Sequence, residues 1–210
     1  MAIASQSLFN MSVSADSSSP TQGMLMPKLQ YRFRALFSNF GVGGTPSDLT
    51  KQVIDVARPS VTFTEIPLDI YNSKIYLAGK HEWATTTINL RDDASGKVAA
   101  LVGQQLQKQM DFVEQASAAS GQDYKFEVDY EVLDGGNGGS SINVLERWEL
   151  YGCFIQGVNY NTLNYGTNEA VTISLTIRFD NAVNSPLAAG VGSTVGRALG
   201  GVSVTGLGST

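Results

Sequence analysis

The chain has 210 residues and a mass of 22.4 kDa, enough for one well-buried core and too few for two domains with tails. Charged residues make up 16% and hydrophobic residues 42%, with 22 glycines, so the composition is that of a folding chain and not of a charge-rich disordered one. Fourteen Lys and Arg against nineteen Asp and Glu leave a net charge of −5, which excludes a chain-wide clamp that binds nucleic acid by releasing counterions.

Residues 1–28 are rich in Ser, Met and Gly, include Ser17-Ser18-Ser19-Pro20, and read as an N-terminal arm. The main domain is expected over 29–182. Its first strand is predicted at Leu29–Phe37, where Leu29, Tyr31, Phe33, Ala35 and Phe37 alternate with Gln30, Arg32 and Arg34. Strands follow at Val53–Ala57 and Ser60–Glu65, separated by Arg58-Pro59. Pro67 to Trp83 reads as a long connection rich in exposed aromatic and aliphatic residues, more than a hairpin loop needs. Tyr71, Ile75, Tyr76 and Leu77 there call for a surface to cover, and a monomer exposing them is prone to association.

After a strand at Ala84–Arg91, the stripe Val98, Val102, Leu106, Met110 and Val113 predicts a single helix of about four turns. Asp93 or Ser95 offers its cap, and Gly121 lies past its end. Its polar face is not basic, so it reads as a helix packed on a sheet and not as a membrane anchor. Tyr124–Val132 alternates without a fault: Tyr124, Phe126, Val128, Tyr130 and Val132 point one way, Lys125, Glu127, Asp129 and Glu131 the other. Beyond a Gly135–Gly139 loop, strands are predicted at Val144–Phe154 and at Val171–Phe179, the latter with Thr172, Ser174, Thr176 and Arg178 on its polar side. Residues 183–210 hold seven glycines and no acidic residue, a C-terminal arm unable to build its own core. Arms of this kind order where neighbours hold them. The fold class is mainly β, a β-sandwich or partial barrel with one α-helix.

One cysteine and one histidine restrict the chemistry. Cys153, between Gly152 and Phe154, reads as a small buried hydrophobe, and no disulfide framework or cysteine-rich zinc site is available within a chain. A Ser-His or Cys-His system would depend on His81, which has no nucleophile elbow or nucleophile at a recognisable offset. Gly190–Gly196 is one residue too long for a dinucleotide fingerprint, and Gly96-Lys97 lacks the earlier glycine of a phosphate loop. No cofactor and no metal are expected. The start of the chain lacks a secretory pattern and no stretch approaches a membrane span, so a cytoplasmic, membrane-free chain is expected.

Several motifs occur in a particular order: Arg58-Pro59, Glu65-Ile66-Pro67, Asn72-Ser73-Lys74-Ile75 with Ala78-Gly79 and Trp83, Ile88-Asn89-Leu90-Arg91-Asp92-Asp93, Trp148-Glu149-Leu150-Tyr151-Gly152-Cys153-Phe154, then Asn168-Glu169. In these, over residues 58–180, the chain resembles the tail tube proteins of contractile-tailed phages. The resemblance implies hexameric rings with a continuous inner β-barrel, stacked into a tube inside a contractile sheath, with baseplate and terminator proteins at its ends. It also implies passage of double-stranded DNA without sticking, assembly in the host cytoplasm and residence in the virion. It places the long connection against the adjacent ring, with Tyr71, Lys74, Ile75, Tyr76 and His81 as the contact residues.

If six chains each give about four strands, ~24 strands at ~4.8 Å and a tilt near ~40° close on a circumference of ~150 Å and a backbone diameter near ~48 Å, wider than duplex DNA. Such a ring carries roughly −30 formal charges, which repels phosphate. Two faces are candidates for the lumen: the acidic Glu127, Asp129 and Glu131, and the hydroxyl face Thr172, Ser174 and Thr176. Either face meets bulk water or a sheath subunit in the alternative reading. Other functions kept open are a secreted or baseplate ring protein of an injection system, a carbohydrate-binding β-sandwich and, on His81, an enzyme.

Overall fold

Faultless alternation produces the central ladder of the protein. The computed structural model describes residues 28–42, 47–134, 143–186, 191, 197–199 and 202–204. In chain order these form β1 (Phe33–Ser38), α1 (Ser47–Gln52), β2 (Val53–Val56), β3 (Val61–Ile70), β4 (Ser73–Trp83), β5 (Thr86–Arg91) and α2 (Lys97–Gln109). There follow β6 (Met110–Asp111), β7 (Ala116–Ser117), α3 (Gly121–Tyr124), β8 (Phe126–Leu133), β9 (Val144–Asn159), β10 (Thr172–Arg178), β11 (Asn181–Pro186), β12 (Arg197–Leu199) and β13 (Val202–Val204). The architecture is mainly β, as expected, with two short helices besides the one predicted.

The antiparallel order is β1-β8-β9-β10-β5-β2, with β11 also paired to β9. β9 belongs to two halves of this sheet. Its first part lies between β8 and β11, and its last part pairs with β10. Between them sits Gly152 at φ 66, where the β8 register shifts between Phe126 and Val128. The extra residue is a bulge with glycine in the left-handed region. Before it Glu146 and Leu150 are buried, after it Cys153 and Ile155, so the phase of the strand changes at the corner. The two halves enclose one core built from Ala35, Phe37, Val128 and Leu150 on one side and Ile88, Leu90, Ile173, Leu175 and Ile177 on the other.

Helix α2 closes the core with Val98, Leu101 and Val102. The predicted stripe runs too far: the helix ends at Gln109, Met110 is 40% exposed and Val113 89% exposed. At its start Gly96 takes the capping position without a side-chain cap of its own, and Asp93 accepts the Val98 amide at 3.2 Å from outside. A hydrogen bond from Ser95, then that from Val98, lower the Asp93 pKa below its ordinary value.

Two boundaries differ from the alternation. Leu29 to Arg32 form a turn, with Arg32 N–H donating to Leu29 O at 3.2 Å, so the first strand starts at Phe33. Strand pairing continues through Pro186, so the first residues assigned to the C-terminal arm belong to the sheet. The N-terminal arm up to residue 27, the Gly135–Gly139 loop and, Val191 apart, the Gly190–Gly196 run lie outside the described residues. No described helix is long and apolar enough to cross a membrane.

Candidate functional site: an amphipathic hairpin and a charged sheet face

The segment read as an irregular connection is regular. β3 and β4 pair with each other from Val61↔Trp83 to Ile70↔Ser73, closing on Tyr71 and Asn72. Tyr71 occupies the turn at φ 47 and is fully exposed. A bulge opposite Thr64 shifts the register, and Gly79 is required there: a Cβ would stand 2.7 Å from Thr64 Oγ1 and 2.8 Å from Thr64 O. Only the base of the hairpin meets the core, through buried Trp83 and half-buried Val61.

Beyond the bulge the pleat sorts the side chains. Ile66↔Leu77 and Leu68↔Ile75 lie on one face with Ile70; Glu65↔Ala78, Pro67↔Tyr76 and Asp69↔Lys74 lie on the other. Lys74 Nζ is 3.4 Å from Asp69 Oδ1, an exposed pair. The aliphatic face is about half exposed at every position, between 44% for Leu68 and 50% for Leu77. Of the predicted contact residues, Ile75 falls on the aliphatic face, Lys74 and Tyr76 on the polar one, and Tyr71 at the tip. His81 lies at the base, its ring 6.2 Å from Phe63 and 6.4 Å from Trp83. Sequence reading missed Ile66, Leu68 and Ile70, although period-two alternation over 66–70 signals them.

The outward face of the half-sheet β1-β8-β9-β11 is a grid of cross-strand rows. Arg34, Glu131, Arg147 and Ser185 share one row; Leu36, Asp129, Glu149 and Val183 share the next; Ser38 pairs with Glu127 beyond them. Glu131 is fully buried between the two arginines, accepting from Arg34 and, at 2.9 Å, from Arg147 Nε. Burial pushes its carboxyl up, and the hydrogen bonds and charges of Arg34 and Arg147 outweigh this and hold it below the ordinary value. Glu131, one of the three carboxylates of the predicted acidic face, is neutralised in the sheet, because its neighbours on both strands are arginines.

Asp129 is half-buried and raised above its ordinary pKa by burial and then by Glu149 across the strand. Glu149 accepts from Tyr151 Oη at 2.5 Å, and this bond, with burial, pushes the Tyr151 phenol up to about 12. Glu127 is exposed.

The hydroxyl face lies elsewhere. Thr172, Ser174 and Thr176 point outward from the other half-sheet, β10-β5-β2, on the far side of the core. There Ser174 Oγ donates to Asn89 Oδ1 at 2.6 Å and Asn89 Nδ2 to Asp55 Oδ1 at 2.8 Å, a polar ladder across three strands. The two predicted faces therefore do not form one surface. Cys153 is buried, its thiol pushed up to about 12 chiefly by burial, as suits a packing residue. Among the described residues no three of His, Cys, Asp and Glu are placed to hold a metal ion.

No family model and no curated protein sequence matches the chain. Solved structures do match its fold. A chain of the anti-feeding prophage baseplate superposes with a TM-score of 0.56 at 12% identity, over 79% of this chain and 100% of that one. A chain of the anti-feeding prophage cap, which terminates its tube, gives 0.55 at 13% identity over 84% and 99%. A chain of the sheath–tube complex of PVC, an extracellular contractile injection system, in its extended state gives 0.50 at 13% identity over 83% and 99%. The fold of this chain is one found in the baseplate, tube-terminating cap and sheath–tube assemblies of contractile injection systems.

Proposed function

We propose that the protein is the structural protomer of an inner tail tube: six copies close a ring, and rings stack into the conduit of a contractile phage tail, with no enzymatic role. The observation that carries this reading is the β3–β4 hairpin. Five aliphatic side chains on one face of a two-stranded ribbon pack against each other and are still left about half exposed in the described chain, and apolar surface of that kind is covered by association. On a tube-protein fold, a repeating neighbour is the natural cover, so Ile66, Leu68, Ile70, Ile75 and Leu77 would pack against the adjacent ring. Tyr71, Lys74, Tyr76 and His81 would flank that contact.

The four-stranded half β1-β8-β9-β11 matches the four strands per chain that a ~24-strand barrel requires. Its outward face would line the bore. Glu127, Asp129, Glu131 and Glu149 against Arg34 and Arg147 leave a net −2 per chain, about −12 in a six-fold ring, a weakly repulsive wall for passing DNA. Thr172, Ser174 and Thr176 would then face outward, toward the sheath. Purified protein should form hollow tubes under the electron microscope; a persistent monomer at high concentration contradicts the reading.

The likeness to a baseplate chain favours a second reading, a tube-initiating or capping ring. In that case assembly stops at single or paired rings and does not extend.

A further inference from the structure

The hairpin has an edge as well as a face. Among the described residues β3 and β4 pair only with each other, so each leaves one row of backbone groups open. The two rows differ. Pro67 stands in the middle of β3 and brings no N–H, and a proline in a paired strand keeps its nitrogen on the free side, so that edge lacks a donor midway. β4 holds no proline, and from Ser73 to Ala78, beyond the bulge at Gly79, it runs in unbroken register. Ile75 and Leu77 stand on that stretch, 47% and 50% exposed. Other edges are short or engaged. β2 has four residues and a register shift, the Gln109 amide holds Ile155 on β9, and Asn184 N–H on β11 donates to Val191 O at 2.7 Å. β1 and β11 bound the half-sheet that the tube reading uses to close the ring.

The sequence also holds a strand-like segment outside the described residues. Before Lys28 lie 27 residues, and within them Phe9, Met11 and Val13 alternate with Asn10, Ser12 and Ser14, the same period of two that marks the strands of the core. No charged side chain occurs before Asp16, so this segment can lie on an apolar face without burying a charged side chain. Residues 15–27 separate it from Lys28, and an extended chain of that length reaches about 45 Å, far enough to meet a neighbouring copy.

We propose that residues 8–14 of one copy add to the open edge of β4 in a second copy as a third strand, with Phe9, Met11 and Val13 on the aliphatic face beside Ile75 and Leu77. Backbone pairing supplies the affinity, and the alternating side chains set the register. The added strand turns a two-stranded ribbon, marginal by itself, into a three-stranded sheet, and it covers the flanks of Ile75 and Leu77. Every copy carries both the donor segment and the acceptor edge, a heterologous contact that propagates from copy to copy. The inference deepens the reading of the chain as a self-assembling protomer and rests on it.

Cysteine scanning of the full-length chain tests it. Residues 8–14, changed to cysteine one at a time, are each mixed with the Leu77→Cys chain and mildly oxidised; native Cys153 is buried and does not compete. The yield of mixed disulfide dimer should alternate along the segment, highest at one of Phe9, Met11 and Val13 and about tenfold lower at the residues on either side of it. Met11→Pro, which removes a backbone donor, should raise the concentration for half-assembly about tenfold, and Ser5→Pro, outside the segment, should leave it unchanged. Tubes that form without a mixed disulfide, equal cross-linking at odd and even positions, or a Met11→Pro chain that assembles as the unaltered one does would overturn the strand addition and leave the tube reading standing. A disulfide that forms only within a chain carrying both Met11→Cys and Leu77→Cys would overturn the second copy as acceptor. A chain that neither cross-links nor assembles would overturn both this inference and the tube reading.

Discussion

Gln109 pairs with Ile155 as a strand residue would. Its amide engages both the N–H and the C=O of Ile155, just past the point where β8 stops pairing with β9 at Phe126↔Cys153. A side chain at the end of a helix thus covers a sheet edge that the backbone leaves open, and unpaired edges invite strand addition.

Gln109→Ala leaves buried Ile155 with two unsatisfied backbone groups, a cost of about 2–3 kcal/mol. Urea denaturation should show that loss. Gln109→Glu keeps the acceptor, loses the donor, and should fall between.

Glu131 should set the acid response of the sheet. Its folded-state pKa lies below the ordinary 4.5, so its stabilising contribution is complete above 4.5 and is lost as pH falls through the folded value. Asp129 is raised, so its contribution runs the other way, being present at low pH and lost as pH rises through its folded value. Glu131→Gln should remove the Glu131 part of the acid loss, and Glu131→Ala should cost about 2–3 kcal/mol at neutral pH, because two arginines lose their shared partner. Denaturation midpoints from pH 7 to pH 3 measure both; an unchanged acid limb in Glu131→Gln would contradict the assignment.

Gly152 should tolerate no side chain. A Cβ there would stand 2.8 Å from Asp180 Cγ, and φ 66 is a left-handed conformation. Asp180 is itself held by Lys125. Gly152→Ala should destabilise by about 1–2 kcal/mol from the backbone alone, beyond the clash. Adding Asp180→Ala should relieve the clash and leave the backbone cost, which calorimetry of the single and double variants resolves.

The legible parts of the fold are those where one face is buried. Phe126, Val128 and Tyr130, and Ile173, Leu175 and Ile177, are core residues as their alternation predicts, and so are Val98 and Val102 in α2. Met110 and Val113 continue the helical stripe on paper, but the chain leaves the helix where Gln109 turns to β9. The hairpin was hidden because both its faces carry bulky residues and the bulge at Gly79 breaks the period. Alternation places Glu131 on the outward face and is silent about Arg34 and Arg147, which come from two other strands. Its neutralisation is a property of register, which a single strand does not encode.

Leu68→Asp and Ile75→Asp should separate folding from assembly. Both side chains are nearly half exposed at the open end of a ribbon, so stability should fall by about 1–2 kcal/mol and the domain should stay folded. Assembly should fail. Equal losses of stability and assembly would mean that the hairpin packs on its own domain.

The most direct test of the tube assignment is negative-stain electron microscopy of the purified chain at rising concentration, beside Leu68→Asp. The account predicts hollow tubes of uniform width for the unaltered protein and, at most, single rings for the variant. Monomers throughout, or tubes of equal length in both, would contradict it.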